Sequence, residues 1–582
     1  MSKDNTTKNR RGILDIIERS GNRLPDPATL FLIGTVIVVV VSAIAASQAW
    51  TVAQQLPEID SIQVERDGVV VNEQVLDKDG KPRVTWQTTG ETYRAKSLLT
   101  RDGFFWLISH LVTNFMGFRP LGVVLVGMLG IGVAERTGLI RALLKAFIAV
   151  VPGSLLTPAM VFLGIMSSIT LDAGYVVLPP LAAALYLAAG RSPLVGLAAV
   201  FAGVAAGFNA NLLITGLDPM LAQLSNEGAQ VVDPTYQVNP GCNWYFMVAS
   251  TVVITLTGWA VTTWFVERRM SQKPEAEGGP RVPDATESTA FKLQASERKG
   301  LAAAALAFLV TMALILTAIL IPDAPLYTYS MPDAAGSPAE RLELSLDEPL
   351  PEGAVTLDNG VVVVKSASPF KRWVRAMVPL LFFVFLIPAI AYGLAAGEVR
   401  NEKDVTQALT GSMAAMAPII VLAFFAAQFI ESFKYSGLDK MLAMAGGQVL
   451  GKADMPVWAL IVAFILVTMV FNLFIGSMSA KYVMFAPIFI PMLMMVGISP
   501  ELTQAAYRIG DSVSNIITPL NPYLIIILVF MQKYVPKGGM GTLISLMLPY
   551  TIAFSIVWTV LLLGWLVLGL PLGLDGYLTF PR

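Results

Sequence analysis

Residues 172–193 read "DAGYVVLPPLAAALYLAAGRSP" and residues 479–500 read "SAKYVMFAPIFIPMLMMVGISP". Set against each other at one offset, they pair Ala173 with Ala480, Tyr175 with Tyr482, Val176 with Val483, Pro180 with Pro487, Gly190 with Gly497, Ser192 with Ser499 and Pro193 with Pro500. Alanine and valine match easily in apolar sequence; two prolines, a glycine and a tyrosine in one register do not. Further on, with a small gap, "NLLITGLDP" from Asn211 matches "NIITPLNP" from Asn515, and upstream "GLIRALLKA" from Gly138 echoes "GLDKMLAMA" from Gly437. The chain is duplicated.

Each copy lies in an apolar stretch, 154–190 and 456–497, broken halfway by "MSSITLDAG" (166–174) or "FIGSMSAKY" (474–482). A stretch of about 40 residues is long enough to enter a bilayer, turn and leave on the same side. These are two re-entrant hairpins. Outside them, spanning runs lie near 28–50, 119–135, 193–222, 244–266, 300–322, 371–397, 410–432, 501–530 and 545–569, nine in all. Five of these separate the hairpins, an odd number, so the hairpins enter from opposite faces. Inverted repeats with broken helices, meeting near the midplane, are the pattern of secondary transporters.

Composition agrees. The 582 residues are 55% hydrophobic and 14% charged, against about 25% charged in soluble chains, and the mean hydropathy is +0.65. The expected class is an all-α polytopic membrane protein. A net charge of −1 gives no reason to expect nucleic acid. One cysteine, Cys242, and one histidine, His110, disfavour disulfides, metal centres and His-based hydrolysis. No enzyme, metal or cofactor is expected.

Basic residues near span ends set the orientation. The tail 1–27 carries Lys3, Lys8, Arg10, Arg11, Arg19 and Arg23, and the loop 267–299 carries seven Lys or Arg, which puts both in the cytoplasm. Segment 323–370 has eight acidic residues and only Arg341 and Lys365 as basic ones, so it lies outside with 51–102. Both outer segments contain β-like runs, "DGVVVNEQV" and "NGVVVVKS". The organisation read is therefore a tail (1–27), a first helix (28–50), an outer segment (51–102), a first repeat (103–222), linking helices (223–322), a second outer segment (323–370), a second repeat (371–530) and a final helix (531–582).

A charge at the bilayer centre costs about 2.5–3.5 kcal/mol on insertion scales, so such residues need a reason. Asp172 stands at the first hairpin tip; Ser477, Ser479 and Lys481 stand at the second, with Asn472 before it; Arg508 and Asp511 share a helical face in "YRIGDSVSN". Arg508 and Asp511 read either as an internal ion pair or as ligands for solute and cation. Asn211 with Thr215, and Asn515 in the second copy, begin segments where the helix unwinds; they serve the backbone or an ion. Lys481 either faces solute or snorkels, and Asp218 reads as a cap. Pro500 and Pro519 permit bends.

The segments "RSGNRLPDPATLF", "DAGYVVLPPLAAAL", "GFNANLLITGLDP", "GSMSAKYVMFAPIFIPML" and "GISPELTQAAYRIGDSVSNIITPLNPY" resemble the AbgT family of p-aminobenzoyl-glutamate transporters and antimetabolite exporters. The resemblance implies a homodimer in the bacterial inner membrane, with nine spans and two hairpins per subunit. It further implies transport of p-aminobenzoyl-glutamate, p-aminobenzoate or sulfonamides, powered by H+ or Na+. Carried over by motif, the important positions fall on Asp172, Asn472, Ser479, Pro500, Arg508, Asp511 and Pro519. Tyr482 departs from the Trp usual there, and its ring is expected to stack on an aromatic ligand. Arg508 or Lys481 is expected to meet the carboxylate, Asp172 to act as a protonation switch, and Asp511 with Asn515 to hold sodium. The alternative reading is a sodium-coupled dicarboxylate carrier; a channel or a membrane hydrolase fits the inverted repeat less well.

Overall fold

The computed structural model describes residues 27–59, 61–66, 69–74, 84–170, 173–280, 293–331, 338–341, 354–357, 361–366, 370–453, 455–518 and 521–580. Each of the two interrupted stretches folds as two helices with a break between them, called a hairpin below, and the punctuation explains the bounds. The first runs Leu156–Met166 and Ala173–Ala188; the second runs Val457–Asn472 and Met478–Met494. Each is followed by the same turn. Gly190 and Gly497 adopt positive φ (68° and 85°), and Arg191 and Ile498 donate their backbone N–H to the carbonyls of Tyr186 and Leu493, five residues back. That is the Schellman closure that glycine makes accessible. Ser192 or Ser499 then precedes a helix that opens on Pro193 or Pro500, where a missing N–H costs nothing.

The helix after each hairpin is broken. Pro193–Phe201 continues as a π turn to Ala206 and restarts as Leu217–Ala229; Pro500–Ser514 restarts as Pro522–Gln532. The duplication runs deeper than the first two proline-glycine matches. At the same offset, Gly203 pairs with Gly510, and each lets its broken helix touch the first helix of its own hairpin backbone to backbone. A Cβ on Gly203 would stand 2.2 Å from the Val161 carbonyl oxygen, and one on Gly510 would stand 2.6 Å from that of Ile465.

The hairpins open at opposite ends of the helix Trp244–Ser271, about 42 Å long at 1.5 Å per residue. At one end the base of the first hairpin is held by Arg191 to Glu267 (2.6 Å) and by Ser192 to the Gly278 carbonyl (2.5 Å). At the other end Phe246 bonds the carbonyl of Leu572, and the same C-terminal segment bridges Thr579 to Ile498 at the base of the second hairpin. The two hairpin stretches are thus anchored at opposite ends of this helix.

Among the described residues six helices are long and apolar enough to cross a membrane: Ala28–Ser47, Trp244–Ser271, Ala295–Leu320, Met377–Ala396, Ala417–Ser436 and Met540–Val567. Leu111–Gly117 and Pro120–Arg136, bent by 46°, make a seventh if counted together. Several bounds differ from the sequence reading. The run 410–432 is two elements, Glu402–Ala415 with an Asn401 capping box and Ala417–Ser436, because Pro418 starts a new helix. Residues 101–117, not counted as a span, form Arg101–Ser109, capped by Thr100, and Leu111–Gly117. The chain is also not wholly α. Thr51–Ile59 pairs antiparallel with Val84–Arg94, Ser61–Arg66 with Val69–Gln74, and four short strands between Tyr329 and Lys365 form a sheet. The β-like runs of the outer segments lie in these strands.

The first of those sheets sits on the amphipathic helix Leu438–Lys452, which lies outside the spans. There Asp439 is 3% exposed, beside Tyr93 and near Lys440 and Lys434, and burial pushes its carboxyl up to about 6. The folded chain therefore holds this proton more tightly than the unfolded chain does. Stability falls as pH rises from about 4 to about 6 and stays low above, by about 3 kcal/mol. Thermal melting should give a higher midpoint at about pH 4.5 than at about pH 7.5, and Asp439→Asn should remove most of that difference.

Candidate functional site

Helix Pro500–Ser514 is buried along its whole length, yet it carries Glu501, Thr503, Gln504, Tyr507, Arg508, Asp511, Ser512 and Ser514. A polar helix inside an apolar protein needs partners, and these come from the first repeat, from the segment that follows it and from the second hairpin. Arg508 Nη2 donates to Asp218 Oδ1 at 2.6 Å. Asp218 lies in the first turn of Leu217–Ala229, where its Oδ2 also accepts from the Thr215 backbone N–H (2.6 Å) and hydroxyl (2.9 Å). Asp218 thus caps a half-helix and pairs with arginine at once. Arg508 Nε is buried without a hydrogen-bond partner among the described residues.

One turn on, the Asp511 carboxylate is shared. Oδ1 stands 2.7 Å from Lys481 Nζ, both side chains having no solvent exposure, and Oδ2 accepts from Asn209 Nδ2 at 3.2 Å. Asn209 also donates to Ser512 Oγ (2.8 Å) and to the Arg508 carbonyl. Asn472, at the end of the second hairpin's first helix, reaches the Asp511 carbonyl (2.7 Å), Ser514 Oγ (2.9 Å) and Asn515 Oδ1 (2.8 Å) through Nδ2, while its Oδ1 accepts from Lys481 Nζ. At the first hairpin, Asn211 Nδ2 donates to Ser168 Oγ (2.7 Å). Each hairpin tip is thus tied to the asparagine that opens its own break. The two breaks meet through Asn209 and through Asn515 Nδ2, which donates to the Ala205 carbonyl.

A third cluster, towards the start of the helix, links Tyr482 to both repeats. Its hydroxyl shares a 2.6 Å hydrogen bond with Ser225, which accepts from Gln504 Nε2, and Gln504 Oε1 accepts from Asn243 and Cys242. The Tyr482 ring lies 4.4 Å from that of Tyr507, whose hydroxyl donates to the Met478 carbonyl at the hairpin tip.

Of the residues read from sequence, Asn472, Lys481, Arg508, Asp511 and Asn515 come together at this crossing, with Asn211 and Thr215 on its first-repeat side. Asp172 and Pro519 lie outside the described residues. Ser477 caps the second hairpin's return helix by accepting from the Ala480 N–H. Ser479 lines a narrow apolar gap with Met220, Leu224 and Leu121, and Pro500 begins the buried helix two turns before Arg508. Asn209, Asp218, Ser225 and Gln504 were not singled out as ligands, although Asn209 stands two residues before Asn211 in "NAN".

Beside the crossing, a cavity of about 560 Å³ opens between Leu217–Ala229 and the helices Arg119–Arg136 and Met377–Ala396. It is lined on one side by Gln223, Asn226 and Gln230, which share a helical face, and on the other by Val123, Val126, Val378 and Arg375. Pro219, the residue after Asp218, also lines it.

The whole layout has counterparts. A family model described as "AbgT putative transporter family" matches residues 12–340 and 344–580. The chain belongs to the AbgT family. It is 31% identical over 559 residues to the p-aminobenzoyl-glutamate transport protein of Escherichia coli (strain K12), covering 96% of this chain and 95% of that one. Two solved structures superpose with a TM-score of 0.77 at 36% identity. The YdaH transporter of Alcanivorax borkumensis, described as having an unusual topology, is covered in full by 94% of this chain. MtrF of Neisseria gonorrhoeae, described as illuminating a class of antimetabolite efflux pumps, is covered to 99% by 97% of it. The protein is a multi-pass membrane transporter of this family.

Proposed function

We propose that this chain is a secondary transporter of aromatic carboxylates of the aminobenzoyl type, including p-aminobenzoyl-glutamate, p-aminobenzoate and sulfonamide-like antimetabolites. The single observation that carries the reading is Arg508. Its guanidinium is buried at the crossing of two broken spans, has only part of its donor fork engaged, and leans on Asp218 next to a cavity of drug-sized volume. A substrate carboxylate suits that fork because it accepts two parallel N–H bonds, which the Asp218 contact does not. The amides of Gln223, Asn226 and Gln230 supply donors and acceptors for an amide-linked acid on the way in.

In this reading the two broken spans complete nine crossings with the seven apolar ones, and the hairpins make two re-entrant units. The N-terminus is cytoplasmic, and the β-bearing segments and the cavity face outward. Each hairpin moves with its own broken span against a scaffold of the remaining helices, in a homodimer in the inner membrane. An ion gradient drives the cycle, with Asp172 as the protonation switch. The relatives' printed activities support this cargo over dicarboxylates.

The test is uptake of radiolabelled p-aminobenzoyl-glutamate and p-aminobenzoate into proteoliposomes, with proton and sodium gradients imposed separately and in both directions. Accumulation above equilibrium under one gradient is the expected result. Flux of succinate with none of either aromatic acid, in protein shown to be folded, would replace the cargo.

A further inference from the structure

The residue at the crossing that the substrate reading leaves unused is Lys481. Its ammonium has no solvent exposure, so it does not snorkel. Three groups surround it: Asn472 Oδ1, which accepts from it; Asp511 Oδ1 at 2.7 Å; and the ring of Tyr507, whose centroid is 6.0 Å away. An amide oxygen, a carboxylate oxygen and a π face are what a small monovalent cation takes in a dry site. Two of the three groups are also pinned from outside. Asn472 is locked by its Nδ2 contacts to Asp511, Ser514 and Asn515, and Asp511 by Asn209 across the repeat boundary.

We propose that the Lys481 ammonium is the resident counter-cation of this crossing, occupying the place between Asn472 and Asp511 that a sodium ion would need, so that transport by this chain runs without sodium. The lysine is tethered to the second hairpin's return helix. The charge therefore travels with the hairpin instead of entering from solution on each cycle. The buried Asp511 never requires a cation from the bath, and the ion that drives flux must act elsewhere. This refines the transport reading above and rests on it for the flux measurement; the binding measurement below does not.

Two measurements on the purified full-length protein decide it. In thermal melting, native protein should have the same midpoint, within about 1 °C, in sodium chloride, potassium chloride or choline chloride of equal strength. Lys481→Ala removes the charge and leaves room, so sodium alone should raise its midpoint by about 3 °C or more, with about one 22Na+ bound per chain. Lys481→Met removes the charge but keeps the space filled, and should not respond to sodium. In proteoliposomes, native flux should be unchanged when choline replaces sodium, and any flux regained by Lys481→Ala should need sodium. Selective stabilisation of native protein by sodium, or native flux that stops in choline, overturns the proposal. So does a folded Lys481→Ala that ignores sodium. If Lys481→Ala does not fold in any salt, the native comparison decides alone. If native protein moves no aromatic acid under any gradient, the transport reading fails while the melting comparison still decides the role of the ammonium.

Discussion

Arg508→Met is expected to lower aromatic-acid flux by at least about 100-fold. Removing one partner of a buried ion pair costs about 3–5 kcal/mol because the other charge is stranded. Here that partner is Asp218, which would keep only the Thr215 contacts. A cost of this size also threatens the fold, so the single variant does not separate substrate binding from stability. The double variant Arg508→Met/Asp218→Asn does. With both charges gone, the melting midpoint should return close to the native value, since replacing a whole buried pair is often near neutral. Flux should stay about 100-fold down, because nothing remains to take the substrate carboxylate in a bidentate fork. Arg508→Lys should show the same division more mildly, melting near native yet losing about tenfold or more in flux. Native uptake rates in the double variant would reduce Arg508 to a structural brace and remove the carboxylate from the reading.

How much of the fold and site can be read in the sequence depends on which interactions are local. The hairpins were legible to within two or three residues because their ends are written in short-range chemistry. Gly190 and Gly497 close the return helices, Ser192 and Ser499 precede the next ones, and Pro193 and Pro500 open them. The membership of the crossing was half legible. Arg508 and Asp511 stood out because charges in apolar surroundings demand explanation. Asp218 passed as a cap because its pairing with Arg508 joins positions 290 residues apart, and no pattern in either segment announces it. Asn209 and Asn211 are alike in sequence, and only the direction of the unwound chain sends one to Asp511 and the other to Ser168. Tyr482 was expected to face an aromatic solute. The structure instead sets it 1% exposed between Tyr507 and Ser225, where its hydroxyl links the second hairpin to the first repeat.

The match of Gly203 with Gly510 yields a large expected effect on stability with no change of charge. Gly203→Ala would put a methyl group 2.2 Å from the Val161 carbonyl oxygen and 2.9 Å from the Gly164 Cα; Gly510→Ala would put one 2.6 Å from the Ile465 carbonyl oxygen. The obstructing atoms are mostly backbone of an adjacent helix, so no rotamer change makes room, and the helix pair has to separate. Overpacking of this kind typically costs about 1–3 kcal/mol and sometimes more, and both sites belong at the upper end. Each variant should lower the melting midpoint by several degrees and reduce the yield of monodisperse protein in detergent. Gly564→Ala, where an added Cβ meets nothing within 4 Å, should behave like the native chain. Equal stability of Gly203→Ala and Gly564→Ala would show that the contact is slack. If it is tight, a mechanical consequence follows. In both repeats the first helix of the hairpin is locked to the broken span by backbone contact, and a third such contact, Gly228 against the Ala486 carbonyl, ties the first repeat's restarted helix to the second hairpin's return helix, whereas the joins at the crossing itself are side-chain hydrogen bonds and ion pairs. Closely packed backbones move together, and side-chain pairs can be exchanged for a substrate. Each hairpin's first helix should therefore move with the span it touches, and Arg508–Asp218 and Asn209–Asp511 are the contacts that a bound carboxylate would compete for.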